Sequence, residues 1–213
     1  MRHTHFALVV LFLLETTIAG RAQATLPPIG NAIIPACITL VGSAGAVPAT
    51  AFGDFHGIFR DLANNPVPNA AITIDLSGCP DLHLCADQLD PAATVDCAHK
   101  TVTKRTDQNG TVHFTLLGGS NGAGNAVTLL NRGKIFGDGL FLGSPTVSAF
   151  DLDGSNGVSV NDLSVWLSDF GSTQPFGRAD YDCSGGVNIN DLSLLLSAYG
   201  SGAQSTSCAS TCP

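Results

Sequence analysis

The chain has 213 residues, and its 17 acidic and 9 basic residues give a formal net charge of −8. This length fits one or two domains, and the acidity argues against a nucleic-acid-binding surface, which needs a basic face. With 44% hydrophobic residues the chain can bury a core and is not disordered. All acidic residues except Glu15 are Asp, so chemistry that needs a glutamate is not expected.

The first 24 residues have the pattern of a secretory signal peptide. Arg2 begins a short basic segment, residues 6–14 (FALVVLFLL) form an apolar run, and Ala22-Gln23-Ala24 is an A-x-A cleavage site. The apolar run is too short to cross a bilayer, which takes about 20 residues. We therefore expect residues 1–24 to be removed, the protein to be secreted, and no segment to span a membrane.

Residues 25–137 are predicted to form a β-sandwich. Six segments are rich in β-branched and aromatic residues and are separated by turn residues: 37–41, 55–59, 71–76, 100–104, 111–116 and 126–129. The segment 61–69 is predicted to be a turn between two strands. Asn109-Gly110 predicts a β-hairpin because both residues tolerate positive φ. Six or more short antiparallel strands indicate a sandwich.

Two turn motifs in this part carry a family resemblance. The segments are Pro66-Val67-Pro68-Asn69-Ala70 and Thr106-Asp107-Gln108-Asn109-Gly110. Together they make residues 55–117 similar to bacterial Ig-like and carboxypeptidase-regulatory-like sandwich modules. The resemblance implies an Ig-like fold and a role as a spacer or adhesion unit rather than as an enzyme.

The composition changes after residue 137, and an internal repeat follows. Residues 138–150 are interpreted as a linker because basic residues become rare beyond them. Residues 151–171 (DLDGSNGVSVNDLSVWLSDFG) and 180–200 (DYDCSGGVNINDLSLLLSAYG) are identical at 12 of 21 positions. Such a match indicates a tandem repeat, and residues 201–213 form a Ser/Cys-rich tail.

Each repeat begins with oxygen-bearing residues at the spacing of a calcium loop. Calcium takes six to eight oxygen ligands, and an EF-hand loop supplies them from positions 1, 3, 5, 7, 9 and 12. We predict two calcium ions, with these ligands: Asp151, Asp153, Ser155, Gly157, Ser159 and Asp162 in the first repeat, and Asp180, Asp182, Ser184, Gly186, Asn188 and Asp191 in the second. A single acidic turn could simply cap a helix; two turns in register favour calcium.

An amphipathic helix is predicted directly after each loop. Apolar residues recur at helical spacing: Leu163, Trp166, Leu167 and Phe170 in the first repeat, and Leu192, Leu195, Leu196 and Tyr199 in the second. We expect the two apolar stripes to pack against each other, with Trp166 in that contact. A glycine, Gly171 or Gly200, is expected to end each helix.

The paired loop-helix units resemble a type I dockerin. This module consists of two EF-hand-like repeats that lack the entering helix, and both of its loops end in Asp, as at Asp162 and Asp191. The resemblance covers residues 151–200 and implies a small α-helical domain. It also implies attachment to a cohesin-like or another extracellular protein. Self-association is the alternative.

Seven cysteines are expected to form disulfides, as is usual outside the cytosol. Their spacing matches no zinc motif. Cys183 is predicted to pair with Cys208 or Cys212, and Cys208 is favoured because the shorter loop is easier to close. The four remaining cysteines would then pair with one another within the sandwich: Cys37, Cys79, Cys85 and Cys97. One cysteine of the tail would stay a free thiol.

No catalytic motif is evident, and the aspartates at 75, 81, 87, 90 and 96 are interpreted as solvated turn residues. The favoured function is a secreted, non-catalytic calcium-binding protein that attaches a β-sandwich to an extracellular partner. One alternative is an accessory component of a polysaccharide-degrading system, although the sandwich offers no Trp or Tyr for sugar stacking. The other is an adhesion or filament subunit.

Overall fold

A computed structural model describes residues 31–44, 47–120, 131–171, 177–201, 208 and 210–212. The predicted signal peptide and the predicted strand 126–129 lie outside the described residues. The described chain is mainly β, followed by two helices. No described helix is long and apolar enough to cross a membrane.

The strands are short, as the closely spaced turn residues predict. In chain order they are β1 (Ala32–Ile33), β2 (Cys37–Leu40), β3 (Ser43–Ala44), β4 (Val47–Pro48), β5 (Asp54–Phe59), β6 (Ala71–Asp75), β7 (Leu82–Leu84), β8 (Thr94–Asp96), β9 (Thr101–Arg105), β10 (Thr111–Thr115), β11 (Gly118–Ser120), β12 (Lys134–Gly137), β13 (Leu140–Gly143) and β14 (Thr146–Ala149). The helices are α1 (Val160–Asp169) and α2 (Ile189–Ser201).

Two antiparallel sheets enclose the main core. One has the strand order β13-β12-β6-β9-β8, and the other has the order β1-β5-β10. Alternate residues of β6 and β5 are buried, for example Ile72 and Ile74 on β6 and Phe55 and Phe59 on β5, and these side chains belong to one apolar cluster. Period-two burial on both sheets is consistent with the predicted β-sandwich.

The Asn109-Gly110 turn does not form the predicted hairpin. Gly110 has a φ of 70° and the turn directly connects β9 to β10. However, β9 pairs with β6 and β8, whereas β10 pairs with β5. The turn therefore crosses from one sheet to the other. Local turn chemistry fixed the reversal of the chain but not the partner of each strand.

The segment interpreted as a linker, residues 138–150, carries two strands. β13 pairs with β12, and β14 runs parallel to β2 with Val147 opposite Ile38. Val147 and Ala149 are fully buried in the main core. Basic residues become rare after residue 137, but this change in composition does not end the strands. The last strand, β14, ends at Ala149, just before the repeat begins.

A second apolar cluster joins the repeats to the β-rich part. It contains Val41 and Leu117 together with Leu152, Trp166 and Leu195. The backbone N–H of Ser120 also donates to the carbonyl oxygen of Asp151 at 2.7 Å. The two loop-helix units thus lie against the β-rich part through a shared core.

The predicted helical stripes are only half buried. Trp166 and Leu195, at equivalent positions of the two repeats, are each 1% exposed, as expected for core residues. Leu167, Phe170, Leu196 and Tyr199 are instead about half exposed. The helices bury a narrow edge in the second cluster, and the rest of each stripe faces outward. Gly171 follows α1 with a φ of 79°, whereas Gly200 lies inside α2.

The predicted disulfide partition is wrong. The three disulfides are Cys37–Cys183, Cys85–Cys208 and Cys97–Cys212. Each joins the β-rich part to the second repeat or to the tail, because the repeats pack on the β-rich part and bring distant cysteines together. The unpaired thiol is Cys79 rather than a tail residue, and its burial raises its pKa to about 12.

Candidate metal centre

Two groups of three carboxylates lie at equivalent positions of the repeats. The first loop (residues 151–162) brings together Asp151, Asp153 and Asp162, and each offers one oxygen within 4.8 Å of the others. The second loop (residues 180–191) does the same with its three aspartates, Asp180, Asp182 and Asp191. The structure therefore assembles all six carboxylates that the spacing singles out.

The last aspartate of each loop organises the loop backbone. In the first loop Oδ1 of Asp162 accepts hydrogen bonds from the N–H groups of Leu152 (2.6 Å) and Asp153 (3.0 Å). Its Oδ2 accepts from the N–H of Ser159 at 2.6 Å, and Ser159 caps α1 in a capping box. Asp162 thus fixes both ends of the loop to the start of the helix.

Asp151 is the electrostatically strained member of the first loop. Its Oδ2 accepts from the N–H of Asn156 at 2.8 Å, while its Oδ1 is buried and has no hydrogen-bond partner among the residues that the structure describes. The residue is 9% exposed. Burial, and then the nearby negative charge of Asp162, raise the pKa of Asp151 to about 6. A buried carboxylate oxygen next to further carboxylates is costly to leave ionised, and a cation bound there could offset that cost.

The second loop repeats this arrangement. Oδ1 of Asp191 accepts from the N–H of Tyr181 (2.7 Å) and Asp182 (3.2 Å), and its Oδ2 accepts from the N–H of Asn188 at 2.8 Å. Asp180 accepts from Ser184 and Gly185, both at 3.0 Å. Burial, opposed by these hydrogen bonds, raises the pKa of Asp180.

The third position of each loop is different. Asp182 is exposed, and a hydrogen bond from the side chain of Ser184 lowers its pKa more than any other effect. Partial burial would raise the pKa of Asp153, but hydrogen bonds led by Ser155 outweigh it and the pKa is lowered. Each loop therefore combines a buried carboxylate whose pKa is raised with a more exposed carboxylate whose pKa is lowered.

The other predicted ligands lie in the same loops, but they have local hydrogen bonds. The hydroxyl of Ser159 accepts from the N–H of Asn161 at 3.1 Å and so serves the helix cap. The amide Nδ2 of Asn188 donates to the hydroxyl of Ser184 at 2.9 Å and to the carbonyl of Gly186 at 3.2 Å. Ser155 and Gly157 lie on the turn that Asp153 and Asp151 bind through their backbone N–H groups.

The donor set suits a hard divalent cation. It consists of carboxylate, hydroxyl, amide and carbonyl oxygens without any sulfur or imidazole, which are the donors that calcium and magnesium prefer over zinc or copper. Helix capping explains the position of Asp162 and Asp191. It does not explain why Asp151 is buried beside Asp162 with an oxygen that lacks a hydrogen-bond partner among the described residues.

A buried ion pair that the sequence did not reveal holds the second loop in place. Nε of Arg178 donates to Asp169 at the end of α1 at 3.0 Å, and its Nη1 lies 3.3 Å from Oδ2 of Asp81. All three residues are buried, and the backbone oxygen of Arg178 accepts from the N–H of Ala149 at 3.0 Å. Asp81 is therefore not a solvated turn residue. The only hint in the sequence was that Arg178 is the sole basic residue after Lys134.

Both helices present an apolar, uncharged outer face. Exposed apolar residues occupy equivalent positions in the two repeats: Val160 and Ile189, Leu167 and Leu196, and Phe170 and Tyr199. Between the helices lies an apolar groove of about 90 Å³ lined by Leu163, Leu195 and Tyr199, among others. The aspartates of α1 and α2 are buried, and every exposed side chain described on these helices is uncharged.

No protein-family model, curated protein or solved structure matches the chain. The resemblances to Ig-like sandwich modules and to type I dockerins thus stay predictions from the motifs that carry them.

Proposed function

We propose that the protein is a secreted, non-catalytic calcium-binding protein whose two loop-helix repeats attach its β-rich part to another extracellular protein. The observation that carries the proposal is the duplicated set of converging carboxylates, in which Oδ1 of Asp151 is buried without a hydrogen-bond partner in the described part of the chain. The three disulfides are compatible with an oxidising, extracellular compartment.

Calcium would supply what the loops lack. A divalent cation neutralises three carboxylates that otherwise repel one another, so that the loop is held by the ion as well as by its backbone hydrogen bonds. Serine at position 5, Ser155 or Ser184, leaves three carboxylates in each loop. We expect dissociation constants near 10⁻⁴–10⁻³ M, as in other extracellular modules, and these sites would be filled outside the cell.

The calcium proposal is tested by isothermal titration of the protein with calcium. The parent protein should bind two ions, and Asp153→Asn or Asp182→Asn should each remove one. These aspartates are at least partly exposed and do not cap a helix, so that the substitutions should leave the fold intact. Asp87→Asn, at an exposed aspartate outside the loops, is the matched control and should still bind two ions. A parent protein that binds no calcium would refute the proposal.

The outer face of the helices is the proposed attachment surface. It is apolar, duplicated and free of exposed charge over the described helix residues. Exposed apolar patches of this kind mark interaction sites. The chemistry fits a partner whose own contact surface is apolar and uncharged. A cohesin-like module is the candidate that the resemblance to type I dockerins implies.

Attachment is tested with a purified type I cohesin module as the probe. We expect calcium-dependent binding that Leu167→Asp together with Leu196→Asp abolishes, because the charges would have to be buried in the contact. Ser164→Asp together with Ser193→Asp, at exposed equivalent positions of the same helices, is the control for added charge. Calcium-dependent self-association instead would identify a second copy as the partner, and the absence of both would contradict the attachment role.

A further inference from the structure

The second loop carries a disulfide at the turn that contains its carboxylates. Cys183 is the fourth residue of this loop and lies between Asp182 and Ser184. The N–H of Ser184 donates to Oδ1 of Asp180 and to Oδ1 of Asp182, both at 3.0 Å. Cys183 has a φ of 56°, which places it in the left-handed conformation. A constraint on Cys183 is therefore a constraint on the carboxylates on either side of it.

The other end of this disulfide is a strand residue. Cys37 is the first residue of β2 and lies opposite Thr146 of β14. The hydroxyl of Thr146 lies 3.0 Å from Sγ of Cys183, so that both strands contact the cross-link. The second loop is thus tied to two paired strands of the β-rich part.

The first loop provides an internal comparison. Its fourth residue is Gly154, which has a φ of 72° close to that of Cys183 but no side chain that could form a cross-link. The first loop therefore has the same turn and the same carboxylates without the tether. Any difference in cation affinity that arises from the tether should appear in the second loop alone.

We propose that the Cys37–Cys183 disulfide preorganises the second loop, makes it the tighter of the two cation sites, and ties its occupancy to the oxidised state of the chain. This inference rests on the proposed calcium binding. A loop that is already held near its bound conformation loses less conformational entropy when the ion orders it. If the disulfide fixes the backbone of one turn residue before calcium binds, the calcium affinity of the loop should rise about tenfold.

The redox chemistry is an ordinary thiol–disulfide exchange. A dithiol supplies two electrons and two protons, the Cys37–Cys183 bond breaks to give two thiols, and the dithiol becomes a disulfide. Because linkage is reciprocal, calcium in the second loop must oppose this reduction by the same factor by which the disulfide strengthens calcium binding.

The first experiment measures calcium affinity for one loop at a time. Asp153→Asn leaves the second loop intact, and Asp182→Asn leaves the first loop intact. The tether is removed from each background by Cys37→Ser with Cys183→Gly, since glycine is the residue at this position of the first loop. Cys97→Ser with Cys212→Ser is the matched control, which removes a disulfide outside both loops.

Removal of the tether should weaken calcium binding about tenfold in the second loop and less than twofold in the first. The control should change neither by more than twofold. Equal weakening of both loops, or no change in the second, would overturn the inference while leaving the calcium proposal standing. A parent protein that binds no calcium would overturn both.

The second experiment needs no variant. The protein is equilibrated with a dithiothreitol redox buffer, alkylated and mapped by peptide mass spectrometry. Saturating calcium should lower the equilibrium constant for reduction of Cys37–Cys183 about tenfold. The constant for Cys97–Cys212 should stay the same. Calcium-independent reduction of Cys37–Cys183 would refute the coupling even if the cysteine variants failed to fold.

Discussion

Asp151→Asn should stabilise the protein without calcium and destabilise it with calcium. Burial and the charge of Asp162 raise the pKa of Asp151 from 3.8 to about 6. This rise in the pKa corresponds to about 3 kcal/mol of differential interaction between the two protonation states. In calcium-free protein above pH 6, the ionised carboxylate therefore lowers the free energy of unfolding by up to about 3 kcal/mol compared with a neutral amide.

The raised pKa of Asp151 also determines how the stability difference depends on pH. Because the pKa is higher in the folded state, the protonated carboxyl group favours folding fully below pH 3.8, and this contribution is lost as the pH rises through about 6. Wild type and Asp151→Asn should thus unfold with similar free energies near pH 3.5. Asp151→Asn should be the more stable by about 1–3 kcal/mol at pH 7.5, where the upper figure assumes that the amide keeps the hydrogen bond from Asn156.

Calcium should reverse the order. A ligand at 100 times its dissociation constant stabilises the folded protein by about 2.7 kcal/mol, and the substitution removes a charged ligand from the first loop. The assay is urea unfolding followed by Trp166 fluorescence, in calcium-depleted buffer and in calcium, from pH 3.5 to 7.5. A variant that is less stable than wild type in both conditions at pH 7.5 would refute the electrostatic reasoning.

Three further outcomes are expected. Arg178→Met should lower the free energy of unfolding in urea by about 3–5 kcal/mol, because Asp81 and Asp169 stay buried without their cation. Lys134→Ala, at an exposed lysine, should change it by less than about 0.5 kcal/mol. Equal effects of the two substitutions would contradict the buried network. Trp166→Ala should lower the free energy of unfolding by about 3–5 kcal/mol, whereas Leu167→Ala, at an exposed position, should lower it little. An emission spectrum typical of an exposed indole would show that Trp166 is not in the core. Native alkylation should leave Cys79 unmodified because burial raises its pKa to about 12, and rapid labelling would contradict this.

The sequence predicted what is local. The spacing of Asp151, Asp153 and Asp162 lies within one loop, so the period of a calcium loop was enough to predict that their carboxylates converge. Each helix was predicted to start directly after the aspartate that closes the loop. Instead α1 begins at Val160 and α2 at Ile189, two residues before that aspartate, because Asp162 and Asp191 lie in the first helical turn. Several strands were also predicted close to their observed bounds, because period-two patterns reflect burial of one face.

What the sequence could not predict depends on packing between distant segments. The Asn109-Gly110 turn fixed a chain reversal, but the choice of sheet for β9 and β10 depends on the whole core. Cys183 was predicted to pair within its own neighbourhood, whereas its actual partner Cys37 is 146 residues away. An apolar periodicity likewise shows which residues share a face of a helix. It does not show how much of that face the rest of the protein covers.

An anomalous difference map from crystals grown with calcium would test most directly whether the two loops bind calcium. Two peaks are expected, one in each loop. The first should lie about 2.3–2.6 Å from oxygens of Asp151, Asp153 and Asp162. It should contact the Oδ1 of Asp151, which accepts no hydrogen bond from the described residues. If the calcium-grown crystals show no peak in either loop, the carboxylates serve only to cap the helices and the protein does not bind calcium there.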